Sequence, residues 1–369
     1  MPEVLVIGAG PVGLLVAGQL QRHGVDVVLL EQRPEPGSGS RAIGIHPPVL
    51  RTLEPGGLTD ALLAKAQRVH SGQARAQGRL LGTVDFSALN ARFPFIATAP
   101  QAATEAVLAA QAPQPQRRAA VQSIEVGAAD VTVTLNERHM RAPLVILAGG
   151  ARSRSLVYRQ PEARHYHDRY LMTDTEGTAA EDPAVAVIHL DPRGVLESFP
   201  LPDGRRRFVT WDAAGDHAAA GARQRMRIAL QGRTSAEPEE VHGFGVRRFV
   251  AEQMRHGRLF VIGDAAHEVS PIGGQGMNLG LLDAVTLAPL LARWSQTSVA
   301  PEQELRHWES QRLRSARRAA GLAGLNTRLG RPAGYWSDTV RRRAVRTMLG
   351  PGPRSIFTRA YAMGFDTAG

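Results

Sequence analysis

The sequence predicts an α/β protein with a parallel-sheet domain built from separate stretches, an antiparallel-sheet domain interleaved with it, and a helical C-terminal segment. Three observations carry that prediction. The chain opens on a strand, a glycine turn, a helix and a second strand ending in an acid. A continuous apolar run, Leu144 to Leu147, closes on Gly149 and Gly150, and a second one, Leu259 to Ile262, leads into Gly263, Asp264 and a glycine cluster. Short apolar runs bounded by glycine suit strands covered on both faces, as parallel strands are.

In chain order, Val4 to Ile7 is the first strand, followed by the turn Gly8-Ala9-Gly10-Pro11-Val12-Gly13 and a helix. Gly8 permits the tight turn, Gly10 lets the backbone approach a pyrophosphate, and Gly13 lets the helix pack on the strand. The helix start offers free N–H groups and a positive dipole end to phosphates. The second strand, Val25 to Leu30, ends in Glu31, which is placed to accept hydrogen bonds from a ribose hydroxyl and would repel a 2′-phosphate; Gln32 and Arg33 follow. Strand, glycines, helix, strand and acid in this order point to a bound dinucleotide rather than a structural turn.

Further on, Val121, Ile124 and Val126, then Val131, Val133 and Leu135, alternate around a Gly-Ala-Ala-Asp turn and predict a small antiparallel meander. Ser71 to Ile96 and Leu156 to Val250 hold other alternating pieces, such as Ala184 to Leu190 and Arg207 to Trp211. They read as one antiparallel sheet drawn from two stretches. The expected division is therefore 1–70, 101–155 and 251–310 for the nucleotide-binding domain, 71–100 and 156–250 for a substrate-binding sheet domain, and 311–369 for the helical segment.

The 369 residues suffice for two or three domains with a real core. The absence of cysteine excludes disulfides, thiolate nucleophiles, thiolate metal sites and iron–sulfur clusters, so redox work needs a bound cofactor. Basic residues outnumber acidic ones 44 to 34, with Lys65 the single lysine. The arginines are dispersed and accompany no nucleic-acid fold signature, so they read as a compositional bias. Arg312 to Arg346 differs, with ten arginines, one acid (Asp338), and Leu313, Leu322, Leu325 and Leu329 between them. For this basic amphipathic stretch, contact with an anionic membrane stands beside simple packing on the nucleotide-binding domain. No apolar run reaches the ~18 residues of a membrane span. With the first strand beginning at Val4, no signal peptide is expected. A cytoplasmic monomer or homodimer is expected, at most peripheral at the inner membrane face.

Asp264 follows a buried strand at the carboxyl end of the sheet, where open α/β sheets bind ligands, and can accept a hydrogen bond from a polyol. Pro271, Gly273, Gly274, Gln275, Gly276, Met277 and Asn278 place backbone amides at a helix start, against a flat ring that becomes anionic on reduction. That describes an isoalloxazine better than a nicotinamide. The segments G-A-G-P-V-G, Pro100-Gln101, G-D-A-A-H and P-I-G-G-Q-G-M-N-L-G-L-L-D-A resemble the FAD-dependent aromatic-ring monooxygenases of the p-hydroxybenzoate hydroxylase-like fold, over nearly the whole chain. Phe199 to Gly204 with Phe208 to Trp211 is similar to the middle domain of the ubiquinone-pathway hydroxylases.

The resemblance implies a Rossmann-type FAD-binding domain interleaved with an antiparallel-sheet substrate domain. It further implies that Arg41 and Gln101 contact FAD, that Asp264 binds the ribityl chain, and that Pro271 to Asn278 line the flavin. It implies hydroxylation of an aromatic, phenolic or quinol-precursor ring through a flavin C4a-hydroperoxide, with molecular oxygen and NADH or NADPH as transient reductant. One departure is Gly149-Gly150-Ala151-Arg152-Ser153, where the family carries Asp-Gly; the aspartate implied to bind ribose and support nicotinamide use is absent. The alternatives are a reductase of isoprenoid-type double bonds and a flavin binder without nicotinamide-driven turnover. A flavin halogenase is excluded, since W-x-W-x-I-P and a suitable lysine are missing. No metal is expected and no catalytic residue is assigned. The cluster His165, Tyr166, His167, Asp168 and Tyr170 reads as a solvated loop before an acid–base group, and His267 as a residue that orders the Asp264 turn.

Overall fold

The computed structural model describes residues 1–37, 42–136, 138–159, 164–178, 181–212, 221–272 and 274–364. The first sheet has five strands in the order Arg255–His256, Leu259–Val261, Leu144–Leu147, Val4–Ile7 and Val27–Leu30. Val4 pairs in parallel with both Leu144 and Val27, and only the Arg255–His256 edge is antiparallel. Every residue of the central strands Val4–Ile7 and Leu144–Leu147 is buried, which is why those runs are apolar without alternation. The helices Pro11–Arg22 and Gly276–Thr297 pack together so closely that a Cβ at Gly280 would lie 2.6 Å from Val12 Cγ2. The meander Val121–Val126, Val131–Leu135 and Arg138–Ala142 turns Val131, Val133 and Leu135 into the same core.

The second sheet has eight strands: His267–Glu268, Val241–Val250, Arg164–Glu176, Arg205–Asp212, Gly194–Pro200, Val185–Asp191, Ser71–Ala76 and Arg79–Asp85. The sequence predicts it as wholly antiparallel, and one join departs from that. Val185–Asp191 pairs in parallel with Ser71–Ala76, because two hairpins from separate stretches meet there running the same way. Alternate residues divide between two faces. Tyr170, Met172, Val195 and Val209 form one apolar layer, and Leu171, Leu196 and Phe208 pack on Met226 and Leu230 of the helix Ala222–Leu230.

The C-terminal helices Glu302–Leu329, Tyr335–Met348 and Arg354–Tyr361 close over the first of those faces, with Val345 and Leu349 joining its apolar layer. The basic segment is thus partly interior. Arg312 and Arg341 are buried, and the Arg341 guanidinium donates to the carbonyls of Leu329, Arg331 and Asp191. Among the described residues no helix is long and apolar enough to cross a membrane.

Candidate functional site

A cleft of about 720 Å³ runs along the carboxyl ends of the parallel strands and under the start of the helix Gly276–Thr297. Gly8, Gly10, Pro11 and Val12 form one edge of it. Gly8 has φ +105°, a conformation glycine tolerates, and Gly10 has open space where a Cβ would stand. Gly13 faces inward instead, since its Cβ would fall 1.8 Å from the Gly8 carbonyl oxygen. No side chain caps the first helix, so its leading amides remain available to an anion.

Glu31, Gln32, Arg33 and Gln101 continue the wall. Glu31 is almost fully buried and accepts the N–H groups of Ala9 and Arg33, each at 2.8 Å. Burial alone would raise its pKa, but the Arg33 side chain and these amides outweigh that and hold the carboxyl ionised. Gln101 also faces the cleft and donates to Glu105 at 2.8 Å. Arg41 and Gly273 lie outside the described residues.

Asp264 lines the cleft from a clamped turn. Gly263, at φ +64°, donates its N–H to Asp283 Oδ2 at 3.1 Å. The same oxygen meets His267 Nε2 at 2.6 Å, and Oδ1 accepts from Arg312 Nε at 2.8 Å. All three side chains are sealed from solvent. Burial opposes each charge, yet Asp283 holds His267 above its ordinary pKa, and His267 with Arg312 holds Asp283 below its own. Arg154 grips the turn from the other side, donating to the Asp264 carbonyl and the Glu268 carboxylate, each at 2.8 Å. His267 therefore shapes the backbone under Asp264, as read from the sequence.

The glycine cluster divides its work. Pro271, Gly274, Gly276 and Met277 line the cleft. The Gly274 amide is already committed to the Pro271 carbonyl at 2.9 Å, which leaves Gly276 and Met277 in the first helical turn as the available donors. Gln275 and Asn278 turn away. Gln275 donates to the Ala360 carbonyl, while Asn278 bridges the Gly44 and Gly274 carbonyls and accepts the His46 N–H. They lock the segment in place. Gly149 lines the cleft opposite, and a Cβ there would lie 2.7 Å from Ser153 Oγ.

The His165–Tyr170 cluster is not a solvated loop. It belongs to the strand Arg164–Glu176, where Asp168 is buried against Arg331 at 2.7 Å and Trp211 Nε1 at 3.2 Å, and Tyr170 lies in the apolar layer. A carboxylate with a fixed cation has a packing role, and the sequence offered no sight of Arg331 as its partner.

Behind the cleft lies an apolar pocket of about 200 Å³, between the second sheet and the C-terminal helices. Ile43, Glu197, Phe199, Ile272 and Gly274 line both cavities and mark where they meet. Burial pushes the Glu197 carboxyl up to about 8 and lowers His46 to about 4. Sequence reasoning missed Glu197, His46, Arg154, Asp283 and Arg312. Only Glu197 left a signal, as the one charged residue in the otherwise uncharged run Gly194–Phe199.

Two helix starts, bare glycine turns, the acids Glu31 and Asp264 along one cleft, and an apolar chamber behind it are together the features of a flavin dinucleotide-binding protein. The residues present fit FAD: Gly10 leaves open space at the cleft edge that a side chain would occupy, and two carboxylate-bearing residues, Glu31 and Asp264, line the same cleft. The family described as FAD binding domain matches residues 1–323, and the chain belongs to it. It is 31% identical over 309 residues to a rifampicin monooxygenase of Streptomyces venezuelae, covering 79% of this chain and 64% of that protein. It is 33% identical over 317 residues to a 6-methylpretetramide 4-monooxygenase of Streptomyces rimosus, covering 79% of this chain and 56% of that one. The chain thus spans less than two thirds of the length of these two relatives. Its fold is that of p-nitrophenol 4-monooxygenase from Pseudomonas putida, with a TM-score of 0.88 at 22% identity, covering 100% of this chain and 98% of the other.

Proposed function

We propose that this chain is an FAD-dependent monooxygenase that hydroxylates an aromatic, phenolic ring, with oxygen as co-substrate and NADH or NADPH as transient reductant. The observation that carries the reading is the junction of the two cavities: a polar cleft built for a dinucleotide opens at Gly274 and Phe199 onto an apolar chamber of ring size. FAD supplies the oxygen activation. The protein's own contribution is to bind, orient and keep dry. The amides of Gly276 and Met277 and the helix start face negative charge on the ring system, Glu31 and Asp264 take hydroxyls, and the C-terminal helices shield the chamber from water. The names of the relatives support the reaction class, because both are monooxygenases.

The test is anaerobic mixing of the flavin-loaded protein with NADH or NADPH, with and without a panel of phenols. Flavin bleaching accelerated by one phenol is the expected result. Bound flavin that neither nicotinamide reduces in the presence of any phenol overturns the hydroxylase reading and returns the chain to a partner-fed or non-catalytic flavin binder.

A second reading concerns location. Tyr335, Trp336 and Val340 are at least two-thirds exposed on the helix Tyr335–Met348, which also carries Arg342, Arg343 and Arg346. Aromatic and basic side chains on the outward side of a helix whose other side packs on the sheet suit the surface of an anionic membrane. Flotation with anionic vesicles at low salt is expected to carry the protein upward, and protein left at the bottom removes this reading.

A further inference from the structure

The strand Gly194–Pro200 is buried on both faces, and its alternate residues Val195, Glu197 and Phe199 line the apolar pocket. The register sets Ile188 beside Glu197 on one neighbouring strand and Val209 on the other. A carboxyl group therefore stands in the middle of an apolar patch, where packing alone calls for a leucine. Glu197 is 4% exposed, and among the described residues it has no hydrogen-bond or ion-pair partner. No arginine or lysine lines the pocket.

We propose that Glu197 recognises the substrate by offering an uncharged carboxyl to a hydroxyl of a carboxylate-free aromatic ring, held across the junction of the apolar pocket and the cofactor cleft. The inference rests on the monooxygenase reading and names its substrate class. A buried acid without a partner keeps its proton, and a protonated carboxyl donates one hydrogen bond and accepts another, the pair a ring hydroxyl matches. A ligand carboxylate that enters the apolar pocket finds no cation there, the nearby arginines lying on the cleft side, so its desolvation goes uncompensated.

The other titratable groups around Glu197 do not confuse its titration. Tyr170 on the Arg164–Glu176 strand and Tyr361 on the last helix have raised pKa values, Tyr361 to about 12, with burial the largest cause and the Glu197 charge adding to it. His46 is held at about 4. Arg207, on the cleft side, is bound to Asp174 at 2.6 Å. Between roughly pH 6 and 9, then, Glu197 alone among these changes its charge.

The experiment titrates two probes into the flavin-loaded protein, 3-ethylphenol and 3-(3-hydroxyphenyl)propionate, and reads the flavin absorbance. The two share a phenol ring and differ by a carboxylate. Wild-type affinity for 3-ethylphenol is expected to fall about tenfold as pH rises through Glu197's range, E197Q to lose that pH dependence, and E197L to bind about tenfold more weakly at low pH. The propionate is expected to bind at least about tenfold more weakly than the ethylphenol to wild type. Retained flavin and a single cooperative melting transition identify folded variants. A flat wild-type profile, an E197Q profile that matches wild type, or equal binding of the propionate overturns the inference while phenol-stimulated flavin reduction leaves the hydroxylase reading intact. If no phenol perturbs the flavin or its reduction, both fall together.

Discussion

Asp283 and Glu197 are two carboxyl groups sealed from solvent in opposite halves of the molecule, and their surroundings drive them in opposite directions. Asp283, beneath the cofactor cleft, lies between His267 and Arg312 and is held ionised below its ordinary range. Glu197, where the cleft meets the apolar pocket, has Ile188 and Val209 directly beside it in its sheet and is pushed up to about 8 by burial. Equal burial gives opposite charge, so the partner set and not the depth decides what a buried acid does. On the cofactor side the ion cluster fixes a backbone turn. On the other side the polar capacity is left for whatever occupies the pocket.

The contrast breaks most visibly at Asp283. D283L removes the anion and leaves Arg312 and His267 buried without it, an imbalance that costs about 3–5 kcal/mol. Urea unfolding is expected to show that loss, together with a drop in bound flavin, since Gly263 and Asp264 lose their anchor. A loss below about 1 kcal/mol would mean that the cluster rearranges and does not hold the turn. A smaller and oppositely signed effect belongs to Glu197. Its folded pKa is raised, so its contribution to stability is fully present below about pH 4.5, the ordinary value, and disappears as pH climbs toward about 8. E197Q lacks that titration and is expected to gain roughly 2–4 kcal/mol on wild type between pH 5 and pH 8. Parallel pH profiles for the two proteins would show that Glu197 ionises freely. The acid limb carries the opposite sign: Asp283's contribution is present above about 3.8 and is lost as pH falls through its lowered folded value, so acid unfolding reports the cofactor side.

The same contrast separates what the sequence discloses from what it hides. Gly8, Gly10, Gly13, Glu31 and Asp264 are legible because their roles are backbone roles, tied to fixed spacing beside a strand and a helix start. The parallel strands are legible because burial on both faces leaves unbroken apolar runs. The Asp283–His267–Arg312 cluster joins residues 16 and 29 positions apart, across a turn and a helix pair, and no local pattern encodes that meeting. The parallel join of Val185–Asp191 to Ser71–Ala76 is hidden for the same reason, since it depends on how two distant hairpins dock. Asp168 misleads because a run of histidine and tyrosine looks exposed until Arg331, from the C-terminal segment, is found beside it. Glu197 stands between the two cases: Gly194–Phe199 has the composition of a buried strand, but only the register shows its acid surrounded by Ile188 and Val209.

The smallest effects sharpen the comparison within the cofactor side itself, where two glycines of one turn serve different ends. At Gly13 an added Cβ would fall 1.8 Å from the Gly8 carbonyl oxygen, a backbone atom that cannot swing aside. Gly13→Ala is therefore expected to destabilise by about 1–3 kcal/mol in thermal or urea unfolding, despite alanine's better helix propensity. At Gly10 the same Cβ meets nothing within 4 Å and projects into the cleft. Gly10→Ala should leave the flavin-free protein within about 0.5 kcal/mol of wild type while weakening FAD binding, measured by flavin fluorescence on titration. If Gly10→Ala binds FAD as tightly as wild type, the pyrophosphate does not approach that edge, and the phosphate site must lie toward the start of the Gly276–Thr297 helix instead. If it loses stability without losing affinity, the turn resembles Gly13 after all, and its bareness is a matter of folding rather than of ligand.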